Sequence, residues 1–236
     1  MSAFFLRSKP VVFLFILFFS VIPLSAESFF DNFYWSFNGN LLYFAADNGV
    51  DSDPAPILPS LGFSLAWQFW GPLRVELTED IYFTNYSYDF SRGYPMACNP
   101  ENRSAFVLGF ITGIQITGVM PVNNNGTAVR IFAGPAADLR LITLAFNLHP
   151  SDFSGDENDA QLQTDAIRDY FWSKGRWFMP VAGLGMDFPI NEKFMLGFDL
   201  RTWFPVYRLW TDQDLPAINN WRFGVSFRIT PRKISG

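Results

Sequence analysis

Eleven charged residues fall at alternate positions within apolar runs, and the chemistry open to them is ion pairing. Arg74, Glu76 and Asp80 share one run, and Arg130, Asp138 and Arg140 share a second. Asp187 belongs to a third, Asp199 and Arg201 to a fourth, and Arg222 and Arg228 to the last. Six guanidiniums and five carboxylates nearly cancel. In a narrow, poorly hydrated interior a guanidinium is stable only when a carboxylate pairs with it. Gathered in one lumen, these residues predict a plug of structural ion pairs. The alternative is a gated, narrow path for small or apolar solutes. A selective pore would favour lumen charge of one sign, and that is absent.

Other chemistries are mostly excluded. The single His149 rules out a multi-His metal site, and the single Cys98 rules out an intramolecular disulfide framework. Asp51-x-Asp53 alone does not make a calcium loop. No metal or cofactor is expected. A net charge of −5 argues against a nucleic-acid partner. The acids gather between the apolar runs: Asp47, Asp51 and Asp53; Asp89 and Glu101; Asp152, Asp156, Glu157, Asp159, Asp165 and Asp169; Asp212 and Asp214. Blocks of like charge commonly stay hydrated, so these read as solvated acidic loops.

The runs that position the charges have period two. From Ser60 to Trp70, Leu61, Phe63, Leu65, Trp67 and Phe69 alternate with Ser60, Gly62, Ser64, Ala66 and Gln68. The same alternation returns along the chain and predicts eight strands, with ten as the second count. Long connections cover 47–59, 87–104, 146–175 and 207–219, and short ones lie at 71–72, 121–126 and 189–193. Long and short connections in turn describe an all-β, antiparallel up-and-down barrel. An even strand number places both ends on the short-turn side. The uncharged stretch 105–122 imitates a membrane helix, but its β-branched residues and Gly109, Gly113 and Gly118 favour a strand. Pro135, Pro180 and Pro205 fall inside expected strands, where each lacks a ladder donor.

The two faces decide the solvent. A water-facing exterior would carry long charged side chains, especially Lys. Beyond residue 26 the chain has only Lys174, Lys193 and Lys233, at strand ends or in the tail. The less apolar face, Ser, Gly, Ala, Gln and Thr with sparse charges, suits a crowded barrel interior. The bulky Phe, Leu, Trp and Val face is then outside and needs lipid. Trp35, Trp70, Tyr86, Trp172, Trp177, Trp203, Tyr207, Trp210 and Trp221 are expected in two interfacial girdles. Residues 1–26 read as a cleaved signal peptide, with Arg7 and Lys9 before an apolar run of twelve and Leu24-Ser25-Ala26 before the cut. Residues 27–236 then form the barrel.

The last run, Arg222-Phe223-Gly224-Val225-Ser226-Phe227-Arg228-Ile229, resembles the assembly signal of outer-membrane barrels. Its polar, Gly and two apolar positions are met by Arg222, Gly224, Phe227 and Ile229. With the signal peptide and the loop alternation, the chain is similar to small outer-membrane barrels of the OmpA-transmembrane, OmpX or OmpW type. That resemblance implies a monomer in the outer membrane of a bacterium, with membrane lipids and the barrel-assembly machinery as partners. It also implies a structural or surface-interaction role rather than an enzyme, the surface ligand being unknown. His149-x-Ser151 resembles part of the active site of lipid A deacylases, where His is the general base and Ser the nucleophile. Acyl transfer is therefore the third reading, with no orienting acid to assign and no residue held to be catalytic.

Overall fold

Alternating side chains put one face of each run on lipid and the other in the lumen, and the strands so formed close on themselves. The computed structural model describes residues 32–44, 57–91, 93–98, 105–143, 159–207, 209 and 221–232. The expected signal peptide, His149, Ser151 and most of the loop acids lie outside these residues.

In chain order the elements are β1 (Phe33–Phe44), β2 (Ile57–Trp70), β3 (Leu73–Asp89), β4 (Tyr94–Ala97), β5 (Ala105–Pro121), β6 (Ala128–Gly134) and β7 (Ala136–Thr143). Helix α1 (Ala160–Trp172) follows, then β8 (Val181–Pro189), β9 (Phe194–Trp203) and β10 (Arg222–Pro231). Neighbours pair antiparallel, and β1 closes the ring on β10 from Phe37↔Ile229 to Phe44↔Arg222. Both β6 and β7 lie on β5: β6 along Ile116–Pro121, β7 along Phe106–Gly113. They are two halves of one stave, interrupted at Pro135. Its carbonyl still accepts from Ile114 N at 3.0 Å, so the ladder carries across the break. The result is a closed barrel of eight staves, not ten, with β4 as an extra strand on the long-loop end of β3.

Several expected boundaries shift. Pro180 and Pro205 lie just outside β8 and β9 rather than within strands, because neither can supply a ladder N–H. The stave expected from Arg176 therefore begins as strand only at Val181. Below Pro180, Asp138 N donates to Trp177 O at 2.7 Å and Met179 N to Ala136 O at 2.9 Å. The second long connection is partly structured, since β3 runs to Asp89 and pairs with β4. The third contains α1. Asp159 caps it, its Oδ1 accepting from Gln161 N at 2.8 Å and Leu162 N at 3.0 Å. Its buried residues Ala160, Thr164, Ile167 and Phe171 follow a helical stripe.

Candidate functional site

Inward positions change character along the barrel axis. From the short turns to the middle they are polar, as in Ser36, Asn38 and Asn40 of β1 and Ser64 of β2. Toward the long loops they become apolar and aromatic: Leu42, Phe44, Tyr82, Ile111, Met179, Val181 and Trp203 form one buried cluster. The stripe of α1 packs on the inward residues Tyr86, Val107 and Ile142, so the helix fills the long-loop mouth on the β3–β5–β7 side.

Ten of the eleven predicted charges meet in two clusters. In the lower one Arg228 Nη1 donates to Glu76 Oε1 at 2.7 Å, while Asp187 lies 3.3 Å from Arg228 and 2.9 Å from Arg130. Arg130 continues to Asp199, and Arg201 lies 3.6 Å from Asp199 and 2.9 Å from Asp80. Asp80 also accepts from Asn40 Nδ2 at 2.7 Å. In the upper cluster Asp138 is 2.5 Å from both Arg140 and Arg222, and accepts from Tyr82 Oη at 2.8 Å. The lower cluster holds four acids and three arginines, the upper one acid and two arginines. The surplus cation above is met by rings: Arg140 lies 3.8 Å over Phe171, and Arg222 4.6 Å over Phe44.

Arg74 is the exception. It faces the lumen, yet it is stacked over Tyr34 at 4.3 Å and joins no ion pair among the described residues. It sits at the open rim, where the acids below Arg228 are already engaged. Buried Arg176 is not among the predicted charges, because alternation carried back from Asp187 turns position 176 outward, whereas the chain before Val181 is not strand. It packs over Tyr170 at 3.9 Å and donates to that residue's carbonyl at 3.0 Å.

Close packing needs bare backbone beside the network. A side chain at Gly109 would collide with the Tyr82 ring, and one at Gly185 with the Asp199 carboxylate. Gly224 of the terminal motif is covered by Trp203, whose ring would lie 2.8 Å from an added Cβ. Arg222 of that motif is buried, whereas Phe227 and Ile229 point outward. Trp203 itself corrects the girdle assignment. It shares the inward phase of Arg201 and is buried, as are Tyr86, in the phase of Tyr82, and Tyr207. Trp35, Trp70, Trp172, Trp177 and Trp221 are exposed, and Trp210 lies outside the described residues.

The outer wall is apolar, with Leu61, Ile114, Ile131, Leu184, Leu200 and Phe227 all exposed. Of the strand residues in the wall below the long-loop ends, Glu79 alone is an outward charge. Such a surface is stable only in lipid. The fold is a closed antiparallel barrel of eight staves with an apolar outer wall. Among solved structures it is similar to Neisserial surface protein A (10% identity, 86% of this chain and 97% of that one, TM-score 0.48). It is also similar to outer membrane protein OprG from Pseudomonas aeruginosa (10% identity, 84% and 95%, TM-score 0.48). A third likeness is to Ail of Yersinia pestis, solved with the heparin analogue sucrose octasulfate (7% identity, 84% and 94%, TM-score 0.41). No family model and no curated protein matches the chain. Among the described residues no three His, Cys, Asp or Glu converge as a metal site.

Proposed function

We propose that this chain is a monomeric barrel of the bacterial outer membrane that seals its own lumen and presents the long-loop end outside the cell. The observation that carries this is the continuity of the interior. Paired charges fill the middle of the lumen, and α1 fills the mouth above them. Breaking a buried pair leaves an uncompensated charge and costs roughly 3–5 kcal/mol, so the plug does not open without a substantial driving force. The short turns, with the start of β1 and the end of β10, then face the periplasm, and the acidic loops face outward. Membrane lipids contact the wall, and the terminal motif serves the assembly machinery. The role is structural or surface-interactive and not enzymatic.

Single-channel recording of the purified, refolded protein tests this. Electrical silence is expected. Steady openings would replace the sealed scaffold with the narrow channel.

A further inference from the structure

At the short-turn end the lumen widens, below the Glu76–Arg228–Asp187 layer, into an open cup of about 300 Å³ to which all eight staves contribute. Two acids face the cup, and both are engaged from above. Glu76 accepts from Arg228 and, at 3.1 Å, from Thr117 Oγ1, while Asp187 is held by Arg130 and Arg228. Two further guanidiniums, Arg74 and Arg232, also line the cup, and neither has a carboxylate partner among the described residues.

Their geometry leaves them available. Arg74 is held over the Tyr34 ring, its Cζ 4.3 Å from the centroid, and no carboxylate pairs with it among the described residues. Arg232 is held at the rim by backbone, its Nη1 donating to Asn191 O at 3.3 Å and its N to Lys193 O at 2.7 Å. Gly126 keeps the space beside it open, since an added Cβ would stand 3.3 Å from Nη2. With Arg74 and Arg232 added to the three arginines and four acids of the lower cluster, this end of the lumen carries one positive charge in surplus. The cup has apolar sides supplied by Val119, Met195 and Pro231.

We propose that this cup binds a small organic monocarboxylate, with its two oxygens on Arg74 and its apolar body against Val119 and Met195. A carboxylate matches the planar edge of a guanidinium by paired hydrogen bonds. A compact inorganic anion could pair with the same guanidinium but would leave the apolar sides uncovered, whereas the body of an organic acid buries them. Arg232, nearer solvent, draws the anion in and holds its charge at the rim. The cup ends blind on the ion-pair layer, so the site retains its ligand rather than passing it on.

The test is calorimetric titration of the refolded protein in micelles with benzoate, and with benzamide as its uncharged counterpart. Saturable one-to-one binding of benzoate is expected, weakened at least tenfold in Arg74→Gln and several-fold in Arg232→Gln, with benzamide not binding. Absence of saturable benzoate binding to the unmodified protein would overturn the proposal. So would equal affinity in both variants, or benzamide binding as tightly as benzoate. Heat-modifiable gel migration shows whether each variant has folded. If Arg74→Gln does not fold, Arg232→Gln at the rim still decides: an unchanged affinity there rejects the site.

Discussion

The guanidinium of Arg140 lies 3.8 Å from the centre of the Phe171 ring, which ties the lumen network to the helix of the third long connection. Phe171 is buried on Tyr86 and beside Tyr170, and so serves two neighbours at once. Phe171→Ala removes that packing and leaves the upper cluster with an unshielded cation. It should lower stability by roughly 3–5 kcal/mol. Leu162→Ala, on the exposed face of α1, should stay within about 0.5 kcal/mol. Urea unfolding in lipid vesicles measures both. Equal losses would mean that α1 does not pack into the mouth.

Arg201 and Arg168 give a second contrast between identical side chains. Arg201 is buried between Asp80 and Asp199, whereas Arg168 pairs with Asp165 on the helix surface. Arg201→Met should cost roughly 3–5 kcal/mol because two buried carboxylates lose a partner. Arg168→Met should cost about 0–1 kcal/mol. The larger loss should also bring brief ion currents in a planar bilayer, since the plug is opened. Similar behaviour in both assays would place Arg201 outside a packed lumen.

Gly185 offers a test that leaves every charge in place. An added methyl would collide with the Asp199 carboxylate and stand 2.8 Å from Phe198 O, so Asp199 must leave Arg130. Gly185→Ala should destabilise by roughly 1–3 kcal/mol, an overpacking cost. Gly39→Ala, where nothing lies within 4 Å, should be close to neutral by the same unfolding assay. A neutral Gly185→Ala would show that the network has slack.

Alternation made both faces legible because a strand has a fixed period, and the phase of Arg201 alone was enough to place Asp199 and Trp203 inside. For Trp203 and Tyr86, aromatic character near a strand end points to a girdle, but strand phase turns both inward and phase decides. Pairing was not legible. Arg228 and Glu76 meet across the lumen although they are far apart in sequence, and only barrel closure and stagger bring them together. Helix α1 is announced by Asp159 and the spacing of Ala160, Thr164, Ile167 and Phe171, but its acids Asp165 and Asp169 mask that stripe by continuing the run of like charge before it.

Glu79 supplies the last test, because it is a carboxyl on the lipid side. Thr112 Oγ1 donates to its Oε2 at 2.6 Å, and Phe63 lies opposite it on β2. Six residues above Leu73 along a tilted strand, it stands about 15 Å from the short-turn end of a wall whose apolar band is about 25 Å tall. Leu200 occupies the same height on β9, counted from Phe194, and is exposed to lipid. An arginine near mid-membrane costs about 2–4 kcal/mol, and Leu200→Arg should show that loss in vesicles. Phe63→Arg places its guanidinium next to Glu79, where each charge offsets the desolvation of the other. Its cost should be about half or less of the Leu200→Arg cost. Repeating both in a Glu79→Gln background should raise the Phe63→Arg cost to the Leu200→Arg level and leave Leu200→Arg unchanged, a coupling isolated by the double-mutant cycle. If Phe63→Arg is as costly as Leu200→Arg with Glu79 intact, the two side chains do not share the lipid face, and the outward phase of β3 at Glu79 is wrong.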